Sequence, residues 1–348
     1  MYSHLTTLKM ETRRKFIKKT AAFSLAGALS HWAINAFGED GKGEILPQRR
    51  LTRNGEKTTA FALGGYHAAK SLNPSQAEKL IERSIELGVR FFDNARGYHQ
   101  GTAEEYYGKF LTPKYRDNIF LMTKTAGRSK EDVQKQLEES LKAMKTDHLD
   151  LWTIHTISSI EDVDNRINNG VLDYFLEAKA TGKTRYIGFS CHTNPKVALH
   201  FLDFLEKRGL ELDTCQCPVN VCDPSFESFQ KQLLPVLLKK EYGIIAMKSM
   251  AGGGMIGRRF DLTPSDFKDE DIKNITMESA VTMDQLHQYV YSLPVSALCS
   301  GCETVEEVEH NTGILKVLQK LADAEMQRIT ELAQPFAGRF AEHYKRIL

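Results

Sequence analysis

NPSQAEKLIERSIELGVRFFDN, residues 73–94, holds one complete unit of the fold: a helix, a stop and a strand. Ala77, Leu80, Ile81, Ile85 and Leu87 recur at helical spacing and form one apolar stripe. Asn73 or Ser75 offers a side-chain oxygen to the first backbone N–H groups, and Gly88 is placed to end the helix. Val89-Arg90-Phe91-Phe92 then reads as a buried strand.

The same unit repeats in both directions. Upstream, Arg49 to Leu63 reads as a hairpin turned at Asn54-Gly55, with Phe61-Ala62-Leu63 as the first strand of the series. Downstream, helices are expected at Glu104–Phe110, Ser129–Lys145, Asn169–Ala180, Pro195–Arg208, Phe229–Lys240, Thr282–Ser292 and Thr304–Leu318. Strands are expected at Ile119–Met122, Leu149–Ile154, Arg185–Phe189, Asp213–Val219, Ile244–Met247 and Ser296–Leu298. Ser129 with Asp132 suggests a capping box, and a last helix is expected from Ala322 to the C-terminus. Strand alternating with helix at this pitch gives a parallel sheet with helices outside it. Leu63-Gly64-Gly65 lacks the remaining glycine of a GxGxxG turn, which argues against an open dinucleotide-binding sheet. The expected fold is therefore α/β: a (β/α)8 TIM barrel over residues 45–348, with an N-terminal β-hairpin and an extra C-terminal helix.

The chain has 46 Lys plus Arg against 45 Asp plus Glu, so no global charge draws it to nucleic acid or an anionic membrane. Its N-terminus is different. Thr12-Arg13-Arg14-Lys15-Phe16-Ile17-Lys18 precedes a moderately apolar stretch, Thr20 to Phe37, and then Glu39-Asp40. Ser24, Gly27, Ser30 and His31 make that stretch weak as a membrane span. The order basic, apolar, polar resembles a twin-arginine translocation signal. The resemblance implies a leader over residues 1–40 with cleavage near Ala36, contact with the translocation machinery, a periplasmic or otherwise exported product, and no stable membrane span in the mature protein.

In a parallel barrel the C-terminal strand ends ring one mouth, where active sites sit. Asp93 follows Phe91-Phe92, with Tyr98 five residues later; Lys124 follows Met122-Thr123; His155 follows Thr153-Ile154. Three consecutive strands thus end in titratable groups. Phe92-Asp93-Asn94-Ala95-Arg96-Gly97-Tyr98, Met122-Thr123-Lys124 and Leu151-Trp152-Thr153-Ile154-His155 resemble the corresponding strands of the aldo-keto reductase superfamily, with Asn94 in place of the usual Thr. The likeness continues through Ile187–Ser190, Gln216–Asn220 and Gly301–Asn311, over roughly residues 55–315.

The resemblance implies an NAD(P)-dependent oxidoreductase acting on a small carbonyl or sugar. Tyr98 would be the general acid/base, Lys124 would lower its pKa, Asp93 would hold Lys124 charged, and His155 would orient the carbonyl oxygen. Ser190 and Gln216 match positions that grip a nicotinamide carboxamide, although Cys191 stands where the family carries Asn. Asn220 would assist or simply form a turn. Lys248 and Ser249, followed by Ala251-Gly252-Gly253-Gly254, would meet the diphosphate, or form a plain flexible loop. Gly301, Thr304, Glu307 and Asn311 match the adenosine end. Glu303, Glu306 and Glu307 there tip the expectation toward NAD over NADP, since a carboxylate repels a 2′-phosphate.

No metal is expected. Cys215 and Cys217 flank Gln216, so alternation points them away from the barrel axis. Cys191, Cys222, Cys299 and Cys302 read as packing residues, or as disulfide partners in an exported protein. Two other functions stay open: an oxidoreductase that retains its nucleotide through turnover, and a non-catalytic binding subunit on the same scaffold.

Overall fold

The computed structural model describes residues 38–71, 73–253, 255, 281–338 and 341–348. Contacts divide the chain into Met1–Ala33 and Ile34–Leu348, and only the second unit is described below. The expected leader, apart from residues 38–40, lies outside the described residues, as does Gly254.

Eight parallel strands close a barrel. They are β5 (Phe61–Gly64), β6 (Phe91–Asp93), β7 (Phe120–Thr125), β8 (Leu149–Ile157), β9 (Thr184–Cys191), β10 (Thr214–Pro218), β11 (Gly243–Met247) and β12 (Ala297–Ser300), with β12 pairing back onto β5. Alternation divides their side chains between two cores. Ala62, Phe91, Phe120, Met122, Leu151, Ile245 and Ala297 fill the barrel. Phe61, Leu63, Phe92, Leu121, Trp152, Cys215 and Cys217 face the outer helices instead. Trp152 on β8 stacks on Phe175 of the helix Val171–Ala180, ring centres 3.7 Å apart and planes 6° apart.

The 73–94 unit resolves as read, and the cap is Asn73, whose side chain accepts from the Ser75 and Gln76 amides. Gly88 ends the helix Pro74–Glu86 at φ 92°, and a Cβ there would stand 2.4 Å from the Glu44 carbonyl oxygen. That carbonyl belongs to a small sheet under the barrel, β1 (Gly38–Asp40) against β2 (Gly43–Ile45). Arg90 ties it in: Nε and Nη2 reach the Asp40 carboxylate at 2.7 and 2.9 Å. Residues 38–40, inside the stretch assigned to the leader, are thus part of this sheet. The hairpin pairs β3 (Gln48–Arg50) with β4 (Lys57–Thr59). Its turn is wider than two residues: the Gly55 amide bonds back to Thr52, and Leu51 to Glu56.

Several helices break where a continuous run was expected. The Glu104–Phe110 helix is Thr102–Tyr106, a wide π-type turn at Tyr107–Leu111, then Thr112–Tyr115. Asn169–Ala180 is shortened to Val171–Ala180 behind Gly170 at φ 75°, with another helix, Ile160–Asn168, before it. Phe229–Lys240 splits ahead of Pro235 into Phe229–Gln232 and Leu234–Lys239. At Ser129 only half the capping box forms: its hydroxyl caps the Asp132 amide, while the Asp132 carboxylate takes the Arg128 amide. The last helix stops at Ala333. Beyond a short turn, buried ions help to hold the C-terminal segment: Lys345 Nζ, fully buried, meets Asp223 Oδ1 at 2.7 Å and Glu342 Oε1 at 2.9 Å. Among the described residues no helix is long and apolar enough to cross a membrane.

Candidate active site

The alternation that turns Phe91 and Met122 into the barrel turns the next residues but one, Asp93 and Lys124, the same way at the strand ends. There they meet. Lys124 Nζ lies 2.5 Å from Asp93 Oδ1 and 2.6 Å from the Asn94 carbonyl oxygen, with both side chains almost wholly buried. A buried ion pair of this kind is costly to desolvate and is kept only with good geometry. Tyr98 lies in the turn after β6, and its ring centre is 5.0 Å from Lys124 Nζ. The ring of His155, on β8, stands 5.7 Å from that of Tyr98 at 80°. The phenol, ammonium, carboxylate and imidazole thus gather at one rim of the barrel.

Their electrostatics follow from burial. Desolvation pushes the Tyr98 phenol up to about 12, against the lowering pull of Lys124. Lys124 thus acts on the phenol in the expected direction, while loss of water acts the other way and is the larger effect. Lys124 is itself shifted upward, because Asp93 and Tyr98 outweigh the desolvation that would discharge it. Burial lowers His155 to about 3, helped by Lys124, so its imidazole is neutral.

The later strands place the other expected residues less uniformly. Ser190 is buried, and its hydroxyl accepts from the Thr156 amide at 2.7 Å. Gln216, paired in register with Ser190, is buried, and its Oε1 has no hydrogen-bond partner among the described residues. An orphaned amide oxygen beside a hydroxyl is the acceptor that a carboxamide N–H needs. Asn220 is committed elsewhere. Its Oδ1 accepts from the Cys222 and Asp223 amides, and its Nδ2 reaches Lys248, Glu342 and Tyr344. It is a turn residue that anchors the C-terminal segment. Lys248, at φ 55°, has its Nζ 4.9 Å from the Tyr344 ring centre, and Ser249 is buried in the turn that follows.

At the opposite end, Gly301 lets His67 close in, since a Cβ would lie 2.1 Å from His67 Nδ1. Thr304 caps the helix Val305–Lys316 through the Glu307 amide. The Glu307 carboxylate takes the Glu303 amide at 2.7 Å. Asn311 donates to Ser300 Oγ and Cys302 Sγ. The acidic group is not unopposed, because Lys70 Nζ meets Glu303 Oε1 at 2.8 Å. That cation offsets one of the three carboxylates on which the expectation of NAD rests.

Four contributors escaped the sequence. Cys299 Sγ lies 3.1 Å from Asp93 Oδ2. The buried Tyr107 hydroxyl bonds the Leu63 and Asp93 carbonyls, both at 3.2 Å. Tyr66 stands 5.3 Å from Tyr98, ring centre to ring centre. His192, 6.2 Å from His155, has a buried Nε2 with no partner among the described residues. Only the titratable His192 carried a signal, by following Ser190-Cys191 at a strand end. All six cysteines are free.

The chain is similar to known proteins along most of its length. L-Glyceraldehyde 3-phosphate reductase of Escherichia coli (strain K12) is 24% identical over 237 residues, covering 64% of this chain and 66% of that protein. L-Galactose dehydrogenase of Arabidopsis thaliana is 23% identical over 296 residues, covering 78% and 89%. The aldo-keto reductase AKR11C1 from Bacillus halodurans, solved in its holo form, superposes with a TM-score of 0.66 at 21% identity, covering 85% of this chain and 99% of that one. That likeness is one of fold. The profile of the Aldo/keto reductase family matches residues 60–334, from the first barrel strand through the last helix, and the chain belongs to that family.

Proposed function

We propose that the protein interconverts a carbonyl and an alcohol, with Tyr98 as the proton-transfer group and a nicotinamide dinucleotide as the partner. The observation that carries this reading is the buried Asp93–Lys124 pair set beneath Tyr98 and His155. When bound, the nicotinamide supplies or receives the hydride on carbon. In reduction, the carbonyl oxygen takes the phenolic proton of Tyr98, and the Lys124 ammonium stabilises the phenolate left behind. Asp93 keeps Lys124 charged and fixed. His155, neutral, donates an N–H to the reacting oxygen without adding a second cation beside Lys124. In oxidation the same proton returns to the Tyr98 phenolate.

Ser190 and Gln216 would hold the carboxamide, Gln216 through its unpartnered Oε1. Lys248 and Ser249 would face the diphosphate, and Gly301, Thr304 and Asn311 the adenosine. The nucleotide is NAD or NADP, and the Glu303–Lys70 pair is the place where that choice is made. The test is nucleotide oxidation with a panel of small aldehydes and sugars. Turnover is expected with the native chain and not with Tyr98→Phe, while nucleotide binding persists in both. Comparable turnover in the two would remove the assignment.

The same reading has the enzyme exported on the Arg13-Arg14 leader. Replacing both arginines with lysine should leave folded protein in the cytoplasm, measured by cell fractionation. Retention of the nucleotide is a second reading, supported by the C-terminal segment: Tyr344 packs on Lys248 and Lys345 is locked to Asp223. Mass spectrometry of the supernatant after acid denaturation of washed protein would find NAD or NADP if it is retained.

A further inference from the structure

We infer that Cys299 is a positioning residue: its thiol holds the second oxygen of Asp93, and so sets how Asp93 presents Lys124 to Tyr98. The inference rests on the role proposed for Tyr98 and adds a fifth group to the site, drawn from the strand that closes the barrel.

Asp93 has two carboxylate oxygens in a nearly dry place. Oδ1 is taken by Lys124 at 2.5 Å, and Oδ2 lies 3.1 Å from Cys299 Sγ. A buried carboxylate oxygen without a donor is expensive, so a neighbouring S–H has a definite use here. The thiol is in the form that donates, because burial and the charge of Asp93 both push its pKa well above the usual cysteine value. Its placement is fixed from the backbone. Cys299 pairs with Ala62 across the β12–β5 closure, and β5 pairs in turn with β6, where Asp93 sits. Gly64 leaves room beside it, since a Cβ there would lie 3.5 Å from the sulfur and 3.1 Å from the Ser300 carbonyl oxygen. Cys302, three residues on, faces the outer core and bonds Asn311 instead. The two thiols of this C-x-x-C therefore do separate things.

The consequence is electrostatic. A thiol on Oδ2 draws part of the carboxylate charge away from Lys124. Without it the carboxylate grips the ammonium harder, and the ammonium stabilises the Tyr98 phenolate less. Tyr98 then becomes a weaker acid, so alcohol oxidation, which needs the phenolate, slows and its pH limb moves up.

Two measurements decide this. The first is the infrared S–H stretching band of Cys299, obtained as the difference between the native chain and Cys299→Ser. A band displaced to lower frequency, which relaxes toward the free-thiol position in Asp93→Asn, supports the bond. A band already at the free-thiol position overturns it. The second is the pH profile of alcohol oxidation in Cys299→Ala, Cys299→Val and Cys299→Ser. Ala and Val, which cannot donate, should lower kcat roughly tenfold at fixed pH and raise the limb by about one unit, with KM for the nucleotide unmoved. Ser, which can donate, should restore both. Native profiles in Ala and Val, or a Ser variant no better than Ala, would overturn the inference. If Ala and Val fail to fold, the infrared band of the native chain decides it alone. That band needs no turnover, so an inactive native protein would end the carbonyl-reductase reading and leave the bond still measurable.

Discussion

The two halves of the barrel mouth are built on opposite principles. On β6, β7 and β8 the functional groups satisfy one another: Lys124 neutralises Asp93, bonds the Asn94 carbonyl and lies against Tyr98. On β9, β10 and the helix Val305–Lys316 they either serve the fold or are left with a polar atom unmatched. Ser190 takes the Thr156 amide and Asn311 bonds Ser300 and Cys302, whereas Gln216 Oε1 and His192 Nε2 have no partner among the described residues. A self-satisfied half is rigid before any ligand arrives. A half with orphaned atoms gains its last hydrogen bonds from what it binds. Mutations in the two halves should therefore fail in different ways.

The largest expected difference is at Lys124. Lys124→Met removes the ammonium that meets Asp93 Oδ1 and leaves a buried carboxylate charge uncompensated, at a cost of about 3–5 kcal/mol. It should also cut turnover by about two to four orders of magnitude. Thermal unfolding and steady-state kinetics on one preparation would read both. Tyr98→Phe, by contrast, should lose comparable turnover with little change in Tm, since the phenyl body still packs. If Lys124→Met unfolds no more easily than Tyr98→Phe, the early half is not the self-supporting unit described.

The next effect separates Gln216 from Asn220. Gln216→Leu should weaken nucleotide binding by about 1–3 kcal/mol, roughly 5- to 150-fold, with stability close to native. Asn220→Ala should do the reverse, because that amide joins the turn at Cys222 to the C-terminal segment through Glu342 and Tyr344. Fluorescence titration with nucleotide and a denaturant melt of each variant test the crossing. Equal loss of affinity in both would return Asn220 to the cofactor side.

These contrasts also explain what the sequence could carry. Asp93, Lys124 and His155 are titratable groups at the ends of three successive strands, so strand parity brings them to one rim, and the family resemblance adds Tyr98 from the turn after β6. The hairpin, the Asn73 cap and the eight strands are legible for the same reason: each is a local pattern. Cys299 is not, because its contact with Asp93 depends on the ring closing between β12 and β5, residues far apart in the chain. Lys70 is hidden likewise until the fold brings it to Glu303. The π-type turn at Tyr107–Leu111 sits where Gly108 packs against the Ala143 carbonyl, a contact no local pattern announces. Asn220 illustrates a different limit. An Asn after a strand looks the same whether it binds a ligand or caps a turn.

A smaller effect concerns pH. His155 is lowered to about 3 by burial and by Lys124, against an ordinary value near 6.5. Its neutral form is therefore favoured in the folded state. The stabilisation this gives is fully present above about pH 6.5 and is lost as pH falls toward about 3. Its partial exposure trims the size of that term. NMR of the ring should find no protonation between pH 7 and 5, and a His155→Asn variant should melt with a shallower dependence on pH over that range. A ring that titrates near 6.5 would mean that the early half is wetter than its hydrogen bonds imply.

The smallest effect lies farthest from the chemistry, at the Glu303–Lys70 pair. Both side chains are about three-tenths exposed and 2.8 Å apart, so the pair adds little to stability. On the function proposed above, its value is as a selector. A 2′-phosphate would compete with Glu303 for Lys70 and be repelled by Glu303, whereas a 2′-hydroxyl would leave the pair intact. Glu303→Gln frees Lys70 from that partner and removes the repulsion together, so affinity for NADP should rise severalfold with NAD affinity nearly unchanged. Lys70→Gln leaves Glu303 unpaired and should move the ratio the other way. Titrating both nucleotides at two salt concentrations sharpens the test, because only a charge-based preference shrinks as ionic strength rises. A ratio that stays put in both variants would place nucleotide choice on some other part of the late half of the barrel.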